Sequence, residues 1–315
     1  MVRLVFCGTP QFAIPTLQAL LGAGHSIELV VTQPDRVRGR DQAPSCPPIK
    51  ALALEAGLPV VQPEKIKNNL EFRERLEAIK PDAIIVVAYG RIIPGWMLQL
   101  PRHGNLNLHA SLLPKYRGAA PIQWAVANGE AVTGATTMRI DEGLDTGDML
   151  LQRELPIQPD QTAEDMFPLL AADGARLMLE TLAGLEAGTI QPKPQDNATA
   201  SLAPILVRQD ALVDFARPAA QIFNRWRGFQ PWPGAYTYFR GKKLTLHRLL
   251  PSQSATGTLP PAELSVQGSR LFVGAGAGTQ LELLEIQIEG KKRLPVAEFL
   301  RGAAPHSHEV LGLPS

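Results

Sequence analysis

Cysteine is nearly absent: of 315 residues only Cys7 and Cys46 carry a thiol. Two cysteines build no disulfide framework of the kind small secreted domains rely on, and neither stands in a cluster spaced for a metal ion. Both are expected as reduced thiols without a chemical role. Long apolar runs are missing too. No stretch approaches the roughly 18 residues of a membrane helix, so no membrane partner is expected. Neither sign of charge dominates, since 31 Lys and Arg against 30 Asp and Glu leave +1. Glycine and proline, at 27 and 28 residues, stay below low-complexity levels. Met1-Val2-Arg3 leads straight into Leu4–Cys7, with no long apolar leader and no Arg/Ser-rich presequence, which leads us to expect a cytoplasmic protein.

One further absence matters. The first strand-like run is followed by Gly8-Thr9-Pro10-Gln11, where a dinucleotide site would need G-x-G-x-x-G. A single glycine there makes a tight strand-to-helix turn, and an NAD enzyme is not expected.

What is present is the 45% hydrophobic, 19% charged composition of a globular chain. Its length suits about two domains of roughly 150 residues. Strand-like runs at Arg3–Cys7, Ile27–Thr32, Pro59–Val61, Asp82–Ala88, Asn105–His109, Thr136–Ile140 and Met149–Ile157 alternate with helical patterns at Phe12–Leu21, Ile49–Ala56, Leu70–Ile79, Pro121–Asn128 and Ala163–Ala187. That rhythm predicts an α/β fold, a doubly wound and mostly parallel sheet, over residues 1–195. An Asn/Thr/Ser/Pro-rich stretch reads as a linker over 196–206. The remainder, 207–315, carries short strands at Tyr236–Phe239, Lys243–Leu249, Arg270–Val273 and Leu281–Ile288, as in a small β-barrel of the oligonucleotide-binding type. The 250–280 region is expected to hold a variable loop and a strand edge.

Two motifs stand at predicted strand ends, where such sheets bind ligands. Alternation along Asn105–His109 puts Asn107 and His109 on one face, an amide and an imidazole able to receive a developing oxyanion. Buried polar residues satisfied within a core would show the same spacing. Ser111-Leu112-Leu113-Pro114 follows directly. Later, Asp141-Glu142-Gly143-Leu144-Asp145-Thr146-Gly147-Asp148 reads either as a solvated turn or as the source of a carboxylate partner for His109.

The stretches NLNLHASLLPKYRGAAPIQWA and IDEGLDTGDML resemble the formyltransferases that use 10-formyltetrahydrofolate. FCGTPQFA, TQPDR, VVAYGRIIP, RGFQPWPGAY and EGKKRLPVAEFLRG extend the likeness, across nearly the whole chain, to the members that act on aminoacylated tRNA. The resemblance implies transfer of a formyl group from the folate to the α-amine of methionine on initiator tRNA, without metal or NAD. It implies Asn107, His109 and Asp145 as the catalytic set. It places the folate against Ser111, Leu112, Leu113 and Pro114 and against the loop with Ala88, Tyr89, Gly90 and Ile92. For tRNA it implies the loop with Arg36, Arg38 and Arg40, although Asp41-Gln42 stands where such loops carry lysines. Formyl transfer to a nucleotide-sugar amine, hydrolysis of the folate, and a non-catalytic RNA-binding role are the alternatives. The shorter glycinamide ribonucleotide enzymes of the family are single domains, unlike this chain.

Charge points the same way. Residues 206–315 hold 13 basic and 8 acidic side chains, against 18 and 22 before them. Arg225, Arg227, Arg240, Lys242, Lys243 and Arg248 lie in one stretch free of acids and interleaved with aromatics, a pattern suited to nucleic acid. Arg225, Arg227, Lys242 and Lys243 are the candidate tRNA contacts, and most of the aromatics are expected to fill the barrel core. No heptad or apolar interface stripe is evident, so a monomer is expected.

Overall fold

The computed structural model describes residues 1–37, 44–252 and 259–312. In chain order the first part contains β1 (Arg3–Gly8), α1 (Ile14–Gly22), β2 (Ser26–Val31), β3 (Arg36–Val37), β4 (Pro44–Ser45), α2 (Pro48–Glu55), β5 (Val60–Val61), α3 (Leu70–Ile79), β6 (Ala83–Val87), α4 (Gly95–Leu98), β7 (Asn105–His109), α5 (Pro121–Ala127), β8 (Val132–Arg139), β9 (Met149–Pro156) and α6 (Ala163–Glu186). The second part contains α7 (Ala219–Gly228), β10 (Tyr236–Phe239), β11 (Lys242–Ser252), β12 (Leu264–Gln267), β13 (Arg270–Gly274), β14 (Gln280–Ile288), β15 (Leu294–Pro295) and α8 (Val296–Ala303).

A seven-stranded sheet in the order β5-β2-β1-β6-β7-β8-β9 organises the first unit. Strands β5 to β7 of that order are parallel, while β8 pairs antiparallel with both β7 and β9, so the sheet is mostly parallel. Both faces are covered. Leu4, Phe6, Ile85 and Val87 pack into one apolar cluster, and Val5, Cys7, Ile84 and Val86 into the other. That is why β1 and β6 read as unbroken apolar runs rather than alternating ones. Gly174 lets α6 approach β7, since a Cβ there would lie 2.7 Å from Leu108. The strand order reverses between β1 and β6, and at their carboxyl ends Thr9 Oγ1 donates to the Tyr89 carbonyl at 3.4 Å. This switch point is where open α/β sheets form their binding crevice.

The domain limits differ from those expected. The first unit comprises 1–121, 132–156 and 165–204; the second takes 122–131, 157–164 and 205–315. Most of the stretch read as a linker is fastened within the first unit. Lys193 and Met149 exchange main-chain hydrogen bonds, Arg117 N donates to Ser201 O at 2.8 Å, and Ala203 N donates to Arg117 O at 2.7 Å.

The second unit is an antiparallel sheet in the order β10-β11-β14-β13-β12, with β15 added on β14. Among the described residues β10 and β12 do not pair with one another. The C-terminal segment spans them instead: Leu264 N donates to Glu309 O, Leu311 N to Ala262 O and Gly312 N to Tyr238 O. The second unit is thus an antiparallel sheet whose two edge strands both hydrogen-bond to the C-terminal segment. The region 250–280 supplies the end of β11, all of β12 and β13, and the first residue of β14, more regular structure than a loop with a strand edge.

Candidate active site

His109 ends β7, opposite Thr136 of β8, and is only 5% exposed. Its Nε2 lies 2.9 Å from the Tyr116 carbonyl oxygen, an atom that can only accept, so Nε2 carries a proton there. Its Nδ1 lies 3.6 Å from Asp145 Oδ2. That is ion-pair range but too long for a hydrogen bond, which leaves Nδ1 able to address an incoming group. Two residues on the same strand face thus become one site: Asn107 stands beside His109, half-buried, and among the described residues its amide makes no hydrogen bond.

Asp145 reaches His109 through a tightly braced turn. Asp141 accepts from Gly143 N at 3.0 Å and from Thr146 Oγ1 at 2.8 Å. A Cβ on Gly147 would sit 1.9 Å from Arg139 O, so only glycine lets the turn lie this close to β8. The Asp145 carboxylate also accepts from Gly118 N, at Oδ2 and 2.8 Å. Tyr116 and Asp145 have φ of 63° and 53°, a left-handed backbone that residues with a Cβ seldom adopt. Both touch His109, and such conformations gather at functional sites. Among the eight residues of the acidic turn, Asp145 is the one brought to the histidine, while Asp141 shapes the turn.

The Ser111–Pro114 turn lies beside the site in a different manner from the one expected. Ser111 is fully buried, its hydroxyl donating to Lys115 O at 2.6 Å, and its carbonyl accepts from Thr136 Oγ1 at 2.6 Å. Leu113 is buried as well, with N–H and carbonyl held by Thr136 and Gln152. The Ser111 and Leu113 side chains therefore shape the turn rather than face a ligand. Leu112 and Pro114 remain partly exposed. The loop after β6 divides likewise. Ala88, Gly90 and Ile92 are exposed, whereas Tyr89 turns into the core at 1% exposure, where burial pushes its phenol above the usual range. Gln33 holds this loop: its Nε2 donates to Tyr89 O at 3.0 Å and its Oε1 accepts from Arg91 Nε at 3.1 Å. Thr136, Gln152 and Gln33 escape a reading by local pattern, because each acts across the sheet.

The candidate tRNA residues separate into two kinds. Arg227 is 4% exposed and donates to the carbonyls of Gln158 and Gln161 and to Asn224 Oδ1. Arg225 lies over the rings of Trp124 and Phe229, at 5.6 and 4.8 Å. Burial lowers both guanidinium values from the ordinary one. Arg240 pairs with Glu309 and donates to Ala303 O, anchoring the closing tail. These contacts engage all three arginines within the second unit, with Arg225 still partly exposed. Lys242 and Lys243 are exposed, without an ion pair among the described residues, and Lys243 Nζ lies 4.2 Å above the Tyr236 ring. Lys291 and Lys292, also exposed, follow the end of β14 where Glu289 N meets Lys243 O. Phe229 and Phe239 are buried as expected, while Trp232 is 52% exposed. Arg36 is exposed on β3; Arg38, Arg40, Asp41 and Gln42 fall outside the described residues.

Comparison with known proteins agrees with this geometry. Residues 2–182 match the formyl transferase family, and residues 206–304 match the C-terminal domain of formyl transferases. The chain is 70% identical over 301 residues to the methionyl-tRNA formyltransferase of Acidobacterium capsulatum, covering 96% of each. It is 60% identical over 309 residues to that of Koribacter versatilis, covering 98% of each. An N-formyltransferase from Helicobacter canadensis, solved with folinic acid and dTDP-3-aminofucose, shares the fold. It superposes with a TM-score of 0.66 at 18% identity, over 90% of this chain and 99% of that one.

Proposed function

The chain belongs to the formyl transferase family, and we propose that it moves the formyl group of 10-formyltetrahydrofolate to the α-amine of methionine carried on initiator tRNA. The observation that carries this reading is the meeting of Asn107, His109 and Asp145 at the end of β7, in a chain so similar to methionyl-tRNA formyltransferases over nearly its full length.

The amine attacks the formyl carbon, a C–N bond forms, and negative charge develops on the formyl oxygen. Collapse breaks the bond to N10 of the folate, which takes up a proton as the amine gives one up. The unpartnered Asn107 amide and the open Nδ1 of His109 are donors positioned to receive the oxyanion. When Nδ1 carries a proton, Asp145 compensates the charge of the ring, and it accepts the amine's proton through a water. Neither metal nor NAD enters any step. Ala88, Gly90, Ile92, Leu112 and Pro114 offer the surface for the folate, by shape and main chain rather than by a serine hydroxyl. Lys242 and Lys243 offer a phosphate-binding face on the second unit, and Arg36 is a separate candidate contact on the first. We further take the protein to act as a cytoplasmic monomer; a dimer mass from light scattering would overturn that part.

The test presents 10-formyltetrahydrofolate with methionyl initiator tRNA, with a nucleotide-sugar amine, or with water alone. Formyl on the tRNA only is the expected result. Formyl on the sugar, or release as formate at an equal rate, would overturn the reading.

A further inference from the structure

Gln195 is the last residue of the expected first domain, just before the stretch read as a linker, and the sequence reading gives it no role. Its side chain is engaged at both ends. Nε2 donates to Asp145 O and to Gly147 O, both at 2.8 Å. Oε1 accepts from Arg117 Nε at 3.0 Å and from Arg117 Nη2 at 2.8 Å. The orientation of the amide is fixed by chemistry, since a guanidinium can only donate and a carbonyl can only accept. Arg117 is itself 7% exposed, and its neighbour Gly118 donates to the Asp145 carboxylate. A closed circuit results: Arg117 orients Gln195, Gln195 holds the main chain on both sides of Thr146, and Gly118 holds the side chain of Asp145.

We propose that Gln195 is a positioning residue for the formyl-transfer site, fixing the left-handed turn at Asp145 so that its carboxylate faces His109. The role needs a side chain with two N–H donors on one atom and an acceptor on the other, which in this place only an amide provides. Its function in turnover rests on the reading above; its structural part does not. A main-chain displacement of about 1 Å at Asp145 carries the carboxylate out of range of Nδ1, and misplacement on that scale costs about 10²-fold in rate.

Gln195→Glu is the discriminating variant. It keeps the shape and the Arg117 contact but turns an oxygen toward two carbonyl oxygens. Turnover per folded molecule should fall about 10- to 100-fold, with KM for folate and for tRNA within about twofold of wild type. The loss should shrink toward acid pH, where a protonated carboxyl can donate one of the two bonds. Gln195→Met, which fills the space with no donor, should show the same loss without pH relief. In parallel, the ring ¹⁵N signals of His109, identified by their absence in His109→Gln, should move in both variants. This second readout requires no substrate, so it holds even if wild type fails to formylate tRNA. Wild-type turnover in Gln195→Glu, or His109 signals that stay in place in both variants, would overturn the proposal.

Discussion

At the end of β7 in the first unit, His109 and Asp145 come from distant segments and meet beside an amide that has no hydrogen-bond partner among the described residues. On α7 in the second unit, Arg225 and Arg227 are neighbours in sequence and rich in charge, yet both are engaged by their own unit. The contrast shows what each kind of pattern conveys. Strand alternation fixes direction: Asn107 and His109 must share a face, and that face lies at the carboxyl end of a parallel sheet. A run of basic residues fixes no direction. On a helix such as α7, a long guanidinium side chain readily folds back on aromatic rings and carbonyls.

The largest effect expected from this contrast is in the first unit. Asn107→Ala removes an oxyanion donor, and steady-state formylation should show kcat reduced by about 10²–10³ with tRNA affinity unchanged. Asp145→Ala should behave alike. A variant with normal kcat but a raised KM for tRNA would move these residues into substrate binding and erase the contrast.

Next comes Arg227. Replacing it by Met leaves the Gln158 and Gln161 carbonyls without their donor, and denaturant unfolding should register a loss of about 2–4 kcal/mol. The salt dependence of tRNA binding should not change. A stable Arg227→Met protein with weakened tRNA binding would restore it as a phosphate contact.

Lys242 and Lys243 should behave in the opposite way. Neutralising both to Gln should leave stability within about 0.5 kcal/mol, as for other exposed positions. It should raise KM for tRNA several-fold and reduce the log–log salt slope by about 1 to 2. An unchanged slope would place the tRNA elsewhere, with Arg36 the next candidate.

The smallest effect concerns a carboxylate remote from both sites. Arg3 N donates to Asp82 at 2.8 Å and Arg102 lies 3.0 Å away, and together they hold the Asp82 carboxyl below its ordinary value. A depressed folded-state value means the stabilisation is present above an unfolded carboxyl's pKa of about 3.9 and fades as pH falls through the folded value. Asp82→Asn should therefore lower Tm by about 1–2 °C at neutral pH, with the difference shrinking as pH falls below about 4. A difference that stayed constant through the acid range down to full protonation of the carboxyl would assign it to packing.

Much of this arrangement is legible in the amino-acid order. The bounds of β7 and α3 follow from the pattern itself, and the covered faces of β1 and β6 follow from their unbroken apolar runs. The candidate site is legible because strand geometry points to Asn107 and His109 and family resemblance points to the same pair together with Asp145. Other features required contacts that no local pattern carries. Helices α7 and α8 do not show in the sequence pattern, because arginines and aromatics obscure the apolar face of one and the other has only eight residues. That the Ser111 hydroxyl is committed to the Lys115 carbonyl follows only from the folded turn. Gln195 directly precedes the polar stretch read as a linker, and only the return of the chain past Arg117 reveals its contacts.

The central claim is that Asn107, His109 and Asp145 form a chemical site rather than a buried polar cluster. The most direct measurement is a single-turnover formylation with His109→Ala, at saturating folate and with methionyl initiator tRNA already bound. The account predicts a rate reduced by about 10²–10³ while the dissociation constant for tRNA and the unfolding midpoint stay close to wild type. A wild-type rate of formyl transfer in that variant would contradict it.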